Sequence, residues 1–237
     1  MDNTIYAALS RQSGLMREMQ VVANNMANIN TTGFRREGVV FSEYVDSLEG
    51  DEASLSMAHA SGRTIDFEDG AIASTGNQLD FAIQGKGFFM VETPEGNQLT
   101  RAGSFLRSPE GELVTPEGFR VLDNGGSPIF LPADQGPIAV GEDGTLSAKG
   151  QPLAQLGLYE PQNSTSISLQ AGTRFAVPEG TVPAENARVL QGAVEQSNVD
   201  PVREIARMVE VQRAYELGQT FLDREDERIR NVISTLK

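Results

Sequence analysis

The chain has 237 residues, 39% of them hydrophobic, and a formal charge of −14. That length can bury a substantial core, while the acidity excludes nucleic acid as a partner, because phosphate binding needs a basic surface. With no cysteine and a single histidine, disulfides, thiol nucleophiles and zinc–thiolate centres are excluded as well.

Residues 3–28 are predicted as a helix. Ile5, Leu9, Gln12, Leu15, Met16, Met19, Val22 and Met26 recur at spacings of three and four and share one face. Such a helix is ~39 Å long, and Gly14 in its interior costs about 1 kcal/mol against alanine. It closes in Ala23-Asn24-Asn25-Met26-Ala27-Asn28-Ile29-Asn30-Thr31-Thr32-Gly33-Phe34. Asparagine and threonine compete with the helix for backbone hydrogen bonds, and glycine reaches the left-handed conformation that ends one. Asn24, Asn25, Asn28 and Asn30 are therefore assigned to backbone groups at the helix end, with Gly33 allowing the turn.

Residues 35–69 carry isolated apolar anchors, Phe41, Tyr44 and Val45, in a polar stretch without periodicity, and are expected to form an extended connector. His59 lies in this stretch without a partner at metal-ligand spacing and is expected in a solvated loop.

From about Gly70 to Glu195 short apolar runs alternate with turns. The runs are 79–83, 88–91, 105–106, 129–131, 156–159 and 175–177. Pro-Glu-Gly occurs between them at 94–96, 109–111, 116–118 and 178–180. Proline presets the second position of a type I turn and glycine suits the fourth. Asp123-Asn124-Gly125-Gly126 and Glu142-Asp143-Gly144 add two further turns. Residues 70–199 are thus expected to form an antiparallel all-β domain, either a sandwich or an irregular barrel.

A second long helix follows. Asp200 suits the cap and Pro201 the first helical position. A heptad from Val202 to Leu236 places Met208, Tyr215, Leu222, Ile229 and Leu236 on one seam. Ile205, Gln212, Gln219, Asp226 and Ile233 fall on the other. Asp226 and Arg230 are spaced for an i,i+4 ion pair. The fold class is therefore α+β: an antiparallel all-β central domain (70–199) inserted between helical segments 1–34 and 200–237, which form a coiled coil on assembly. The two helices either pair as an antiparallel hairpin or bundle with other subunits, and their apolar faces are too long for the β domain to cover. In a free monomer the ends are expected to be partly disordered.

No catalytic constellation accompanies these elements. His59 has no serine or acid arranged around it. Gly85-Lys86-Gly87 lacks the flanking glycine and the hydroxyl residue of a phosphate loop and reads as a turn between strands. Glu142-Asp143-Gly144-Thr145 lacks the rest of a calcium loop. The expectation is a non-enzyme without cofactor, metal or small-molecule substrate. No apolar run reaches the roughly 20 residues of a membrane span, so no membrane insertion is expected. The opening Met1-Asp2-Asn3-Thr4-Ile5-Tyr6 lacks the pattern of a cleaved signal peptide.

Three separated motifs resemble the bacterial flagellar rod, hook and basal-body proteins. They are Ala23–Asn28 with Asn30–Phe34; Thr75-Gly76-Asn77-Gln78-Leu79-Asp80-Phe81-Ala82-Ile83 through Gly85–Phe89 with Thr100-Arg101-Ala102-Gly103-Ser104-Phe105; and Gln196-Ser197-Asn198-Val199-Asp200 leading to Met208–Glu216. The short opening and the length are closest to a proximal-rod member, with a distal-rod member as the alternative. The resemblance implies an axial component of the basal body in the periplasm. It implies export without a cleaved signal through the flagellar type III apparatus, assembly with other rod subunits, and a shaft that carries torque to the hook. It places the assembly interface on Ile5, Leu9, Leu15, Met16, Met19, Val22 and Met26 and on the C-terminal seams, with the asparagines and Gly33 at the turn. A reading of another class, a secreted β-domain binding module on a helical stalk, stands beside it.

Overall fold

A computed structural model of the chain describes residues 2–46, 55–132, 136–163 and 166–235. It divides into a terminal unit (residues 1–29, 36–66 and 199–237) and a central unit (30–35 and 67–198).

The terminal unit holds α1 (Asp2–Ala27), β1 (Glu37–Asp46), β2 (Leu55–Ile65) and α2 (Pro201–Thr235). Both helices form where the periodicity places them. The carboxylate of Asp200 accepts from the amides of Val202 (2.9 Å) and Arg203 (3.2 Å), the N-cap expected at that position. The stretch 35–69, expected as an extended connector, is more regular than that. β1 and β2 pair antiparallel from Glu37↔Ile65 to Asp46↔Leu55, with a bulge at Val40/Phe41. Strand alternation is not legible there because this hairpin packs against α1 and has no sheet around it to impose an apolar face. His59 accordingly lies on β2 opposite Ser42, not in a loop. The hairpin also accounts for Gly14: a Cβ there would stand 2.8 Å from the Phe41 ring. The helix gives up propensity at that point in exchange for close approach.

The central unit is built from sixteen strands among the described residues. They are β3 (Ile72–Ser74), β4 (Phe81–Gln84), β5 (Phe88–Thr93), β6 (Gly96–Thr100), β7 (Leu106–Arg107), β8 (Leu113–Val114), β9 (Arg120–Val121), β10 (Ile138–Val140), β11 (Thr145–Ala148), β12 (Gln151–Gln155), β13 (Leu158–Pro161), β14 (Ser168–Ala171), β15 (Arg174–Ala176), β16 (Thr181–Pro183), β17 (Arg188–Gln191) and β18 (Ala193–Glu195). The main sheet runs β14-β15-β6-β5-β9-β8-β7, with β13 joining β5 to β16. A three-stranded sheet β10-β11-β12 and the pairs β17–β4 and β18–β3 complete the unit, and every pairing is antiparallel. Phe81, Phe89 and Phe105 pack together at its centre, with Phe89 and Phe105 edge to face and their centroids 5.2 Å apart. Val91, Leu113, Val121, Ile129, Leu146 and Val189 close the core around them.

The turn chemistry follows the sequence. Gly111, Gly118 and Gly180 each return an amide to the residue before their Pro-Glu, at 2.9–3.0 Å, and Gly96 closes the β5–β6 hairpin. All four have positive φ. Residues 129–131 differ from the expectation. Ile129 and Leu131 are core residues, but only Phe130 makes a bridge, to Glu112, so no strand forms.

The Tyr159 phenol donates to the carbonyl of Asp123 at 3.0 Å, and burial, reinforced by the Asp123 charge, raises its pKa above the ordinary tyrosine value. The folded state therefore holds this proton more tightly than the unfolded state. The resulting stability is complete below about pH 10 and is lost as pH rises through the folded-state pKa. Thermal unfolding from pH 8 to 11 should show stability falling at the alkaline end, and Tyr159→Phe should flatten that fall.

Candidate assembly site

The asparagine-rich stretch does more than end a helix. Asn25 is 0% exposed and presents its amide edge to the start of β1. Its Oδ1 accepts from the Glu37 amide at 2.9 Å, and its Nδ2 donates to the Glu37 carbonyl at 2.8 Å. The side chain thus pairs with Glu37 as a neighbouring strand would. The same Nδ2 lies 3.2 Å from Glu204 of α2, whose other oxygen receives Arg36 Nε at 2.6 Å. Asn24 donates to the Glu37 carboxylate at 2.7 Å, and Arg63 reaches its second oxygen at 3.3 Å. Asn28 donates to the carbonyl of Asn24, the helix-end role assigned to it, while Asn30 is exposed. One network, buried at Asn25, Glu37 and Glu204, therefore ties α1, β1 and α2 together, and Arg63 joins β2 to it from the surface. Asn25→Ala leaves the Glu37 amide and carbonyl buried without these partners and should cost about 2–4 kcal/mol, measurable by urea unfolding of the whole chain.

Gly33 sits in the central unit at φ +69°, with its amide donating to the Glu195 carbonyl at 2.8 Å. Beside it Arg35 and Glu195 are each 1% exposed and pair at 2.8 Å, and Glu195 also receives Arg101 at 2.9 Å and the Gly70 amide at 2.8 Å. Arg35 further donates to the carbonyl of Glu68 and pairs with Asp69 at 3.1 Å. Arg101 donates to the carbonyl of Gly85 at 2.7 Å and lies over the Phe88 ring. Burial holds the Arg101 pKa below that of an ordinary arginine. Glu195 opposes that pull, while the neighbouring Arg35 charge adds to it. The consecutive arginines thus serve separate units: Arg35 pairs with Glu195 in the central one, Arg36 with Glu204 in the terminal one.

Three contacts set the helix pairing. Gln12 Nε2 donates to the Tyr215 carbonyl at 3.0 Å, Arg207 donates to Glu18 at 2.6 Å, and Asn25 reaches Glu204. Positions rise along α1 as they fall along α2, so the helices run antiparallel. Bonds to Glu210 and Glu18 raise the pKa of Arg207 although burial lowers it.

On α1, Val22 is buried, Ile5, Leu15, Met19 and Met26 are half-buried, and Leu9 and Met16 are exposed. On α2, Met208, Tyr215 and Leu222 are half-buried, whereas Ile205, Gln212, Gln219, Ile229 and Ile233 are exposed; Leu236 lies outside the described residues. The less exposed residues of α2 include Glu204, Met208, Val211, Tyr215, Gly218, Leu222 and Glu225. Within the chain, the second seam is therefore Glu204, Val211, Gly218 and Glu225, on the other side of Met208–Leu222 from the one chosen by hydrophobicity. Hydrophobicity does not point to that side because, Val211 apart, its residues are polar or small. Glu204 is buried by its partners, and the half-buried Gly218 lies close to Gln12, whose Nε2 would stand 2.9 Å from a Cβ at that position. The Asp226–Arg230 pair forms as expected, at 2.7 Å.

Among the described residues no group of three or more His, Asp or Glu is placed to hold a metal, and no helix is long and apolar enough to cross a membrane.

Three family models match successive parts of the chain: flagella basal body rod protein at residues 5–35, flagellar hook protein FlgE/F/G D1 domain at 82–148, and flagellar basal body rod FlgEFG protein C-terminal at 190–235. The chain is 37% identical over 242 residues to a flagellar basal-body rod protein FlgF of Caulobacter vibrioides, covering 100% of this chain and 98% of that one. It is 39% identical over 219 residues to the FlgF of Mesorhizobium japonicum, covering 91% and 90%. It is 30% identical over 259 residues to a flagellar basal-body rod protein FlgG of Bacillus subtilis, covering 98% of each. The matches at the two ends fall on α1 and α2, the elements joined by the Asn25–Glu204 network. The chain belongs to the flagellar basal-body rod protein family.

Proposed function

We propose that this chain is a structural subunit of the flagellar rod, of the FlgF proximal type, that assembles through α1 and α2 with its own copies and adjacent rod proteins. The higher identity to FlgF than to FlgG relatives supports the subtype. In this reading the subunit is exported by the flagellar type III apparatus without a cleaved signal, and the assembled shaft carries torque to the hook. The observation that carries the assembly reading is the uncovered apolar surface of α2. Val202 and Leu217 are 75% and 73% exposed, and Ile205, Ile229, Val232 and Ile233 are exposed with them. These side chains recur from the first turn of the 35-residue helix to its last, and Ile229, Val232 and Ile233 among them share one side, the kind of exposed apolar patch that marks a contact surface. Packing that face against neighbours also offsets the entropy of ordering the helices, so folding of the ends and assembly are coupled.

Leu222→Asp tests this reading. The variant is expected to keep the β-sheet circular dichroism of the central unit and to be missing from purified basal bodies. Recovery of the variant in basal bodies at the wild-type level would overturn assembly through the helices.

A further inference from the structure

The helices differ in length, and the difference leaves one end uncovered. α1 has 26 residues and α2 has 35. Extending the register set by Asn25/Glu204, Glu18/Arg207 and Gln12/Tyr215 brings the first residues of α1 opposite about residue 225 of α2. Every residue from 226 to 235 is exposed. These ten residues span ~15 Å of helix. They carry a stripe of Ile229, Val232 and Ile233, which are 40%, 54% and 55% exposed. The side chain of Arg230 flanks the stripe; it pairs with Asp226 and has five N–H donors in all.

The terminal unit also contains a surface of complementary shape. Between α1 and α2 runs a mainly apolar groove of about 490 Å³, in which Ala8, Leu15, Ala214 and Leu217 stand beside the polar Arg11 and Gln12. Its small residues allow a helix to approach closely. Gln12, nine-tenths buried, lines it with one half of its amide used: Nε2 donates to Tyr215, while Oε1 is buried without a hydrogen-bond partner. A buried acceptor in this state is open to a donor entering the groove.

We infer that the 226–235 overhang of one copy docks in the α1–α2 groove of a second copy, with Ile229, Val232 and Ile233 against its alanines and leucines and Arg230 donating to Gln12 Oε1. This rests on the rod-assembly reading above and specifies its contact. Groove and overhang are different surfaces, so a copy that gives its overhang keeps its own groove open. The contact is heterologous and propagates from copy to copy instead of closing as a two-fold dimer.

The test uses two kinds of variant of the full chain, one at groove-lining and one at exposed positions. Ala8→Arg fills the groove, with Ala214→Arg as its duplicate from the facing helix. Ile229→Asp with Ile233→Asp spoils the overhang. Circular dichroism should match the wild type in each. By sedimentation velocity the wild type should form a concentration-dependent series of oligomers, and each variant alone should associate at least ~tenfold more weakly, about 1.4 kcal/mol. An equimolar mixture of the groove and overhang variants should form a 1:1 complex and nothing larger, because one intact groove meets one intact overhang. Wild-type association by either variant alone, a mixture that stays monomeric, or a wild type that stays monomeric at millimolar concentration would each overturn the inference. The rod-assembly reading is judged separately, by recovery of the Leu222→Asp variant in basal bodies.

Discussion

Replacing Glu195 by alanine is expected to lower the stability of the central unit by about 3–5 kcal/mol, the cost of removing one partner from a buried ion pair. The carboxylate accepts from Arg35, Arg101 and the Gly70 amide, and all three charged side chains are nearly inaccessible. Without it, two buried guanidinium groups face each other with only Asp69, whose side chain is 52% exposed, to compensate. Urea unfolding followed by circular dichroism should show a lower midpoint with an unchanged slope. Glu142→Ala is the control: its pairing with Arg188 is exposed on both sides, so its loss should cost less than about 1 kcal/mol. Equal effects from the two substitutions would mean that the buried node contributes no more than a surface pair.

The second large effect is expected at Gly33. A Cβ there would lie 2.3 Å from the amide nitrogen of Ala102 and 2.4 Å from the carbonyl carbon of Arg101, both backbone atoms that cannot rotate away. The left-handed conformation alone costs a non-glycine residue about 1–2 kcal/mol. Gly76 has a similar φ of +72°, but a Cβ there would meet nothing within 4 Å. Gly76→Ala should therefore show the conformational cost alone, and Gly33→Ala that cost plus a forced displacement of the Arg101–Ala102 backbone. The difference in unfolding midpoint between the two variants measures the close approach. If the midpoints coincide, the backbone yields and the packing argument fails.

Legibility in the sequence varied with the origin of each signal. The helices, the Asp200 cap and the Pro-Glu-Gly turns were readable because periodicity, capping and turn formation depend on neighbouring residues. The β1–β2 hairpin was not readable, since its pairing is set by a partner strand and by α1 packing against it. Asn25 was singled out, but as a helix-end residue. Its pairing with the backbone of Glu37, 12 positions away, is a tertiary fact. Glu204 and Gly218 are not legible as packing residues, because a buried glutamate and a helical glycine carry no hydrophobic signal.

The sequence by itself determined two amphipathic end helices around an antiparallel β domain, and three motifs specific enough to identify the family. Local chemistry suffices for these, because caps, turns and apolar faces act within a few residues of their origin. The tertiary structure alone decided which side of α2 meets α1, and that Arg35 and Arg36 turn to separate buried glutamates. It also decided that the last ten described residues of α2 are left uncovered. Those outcomes depend on which polar groups find partners when buried and on the relative lengths of paired elements, and neither quantity is carried by any single segment of the chain.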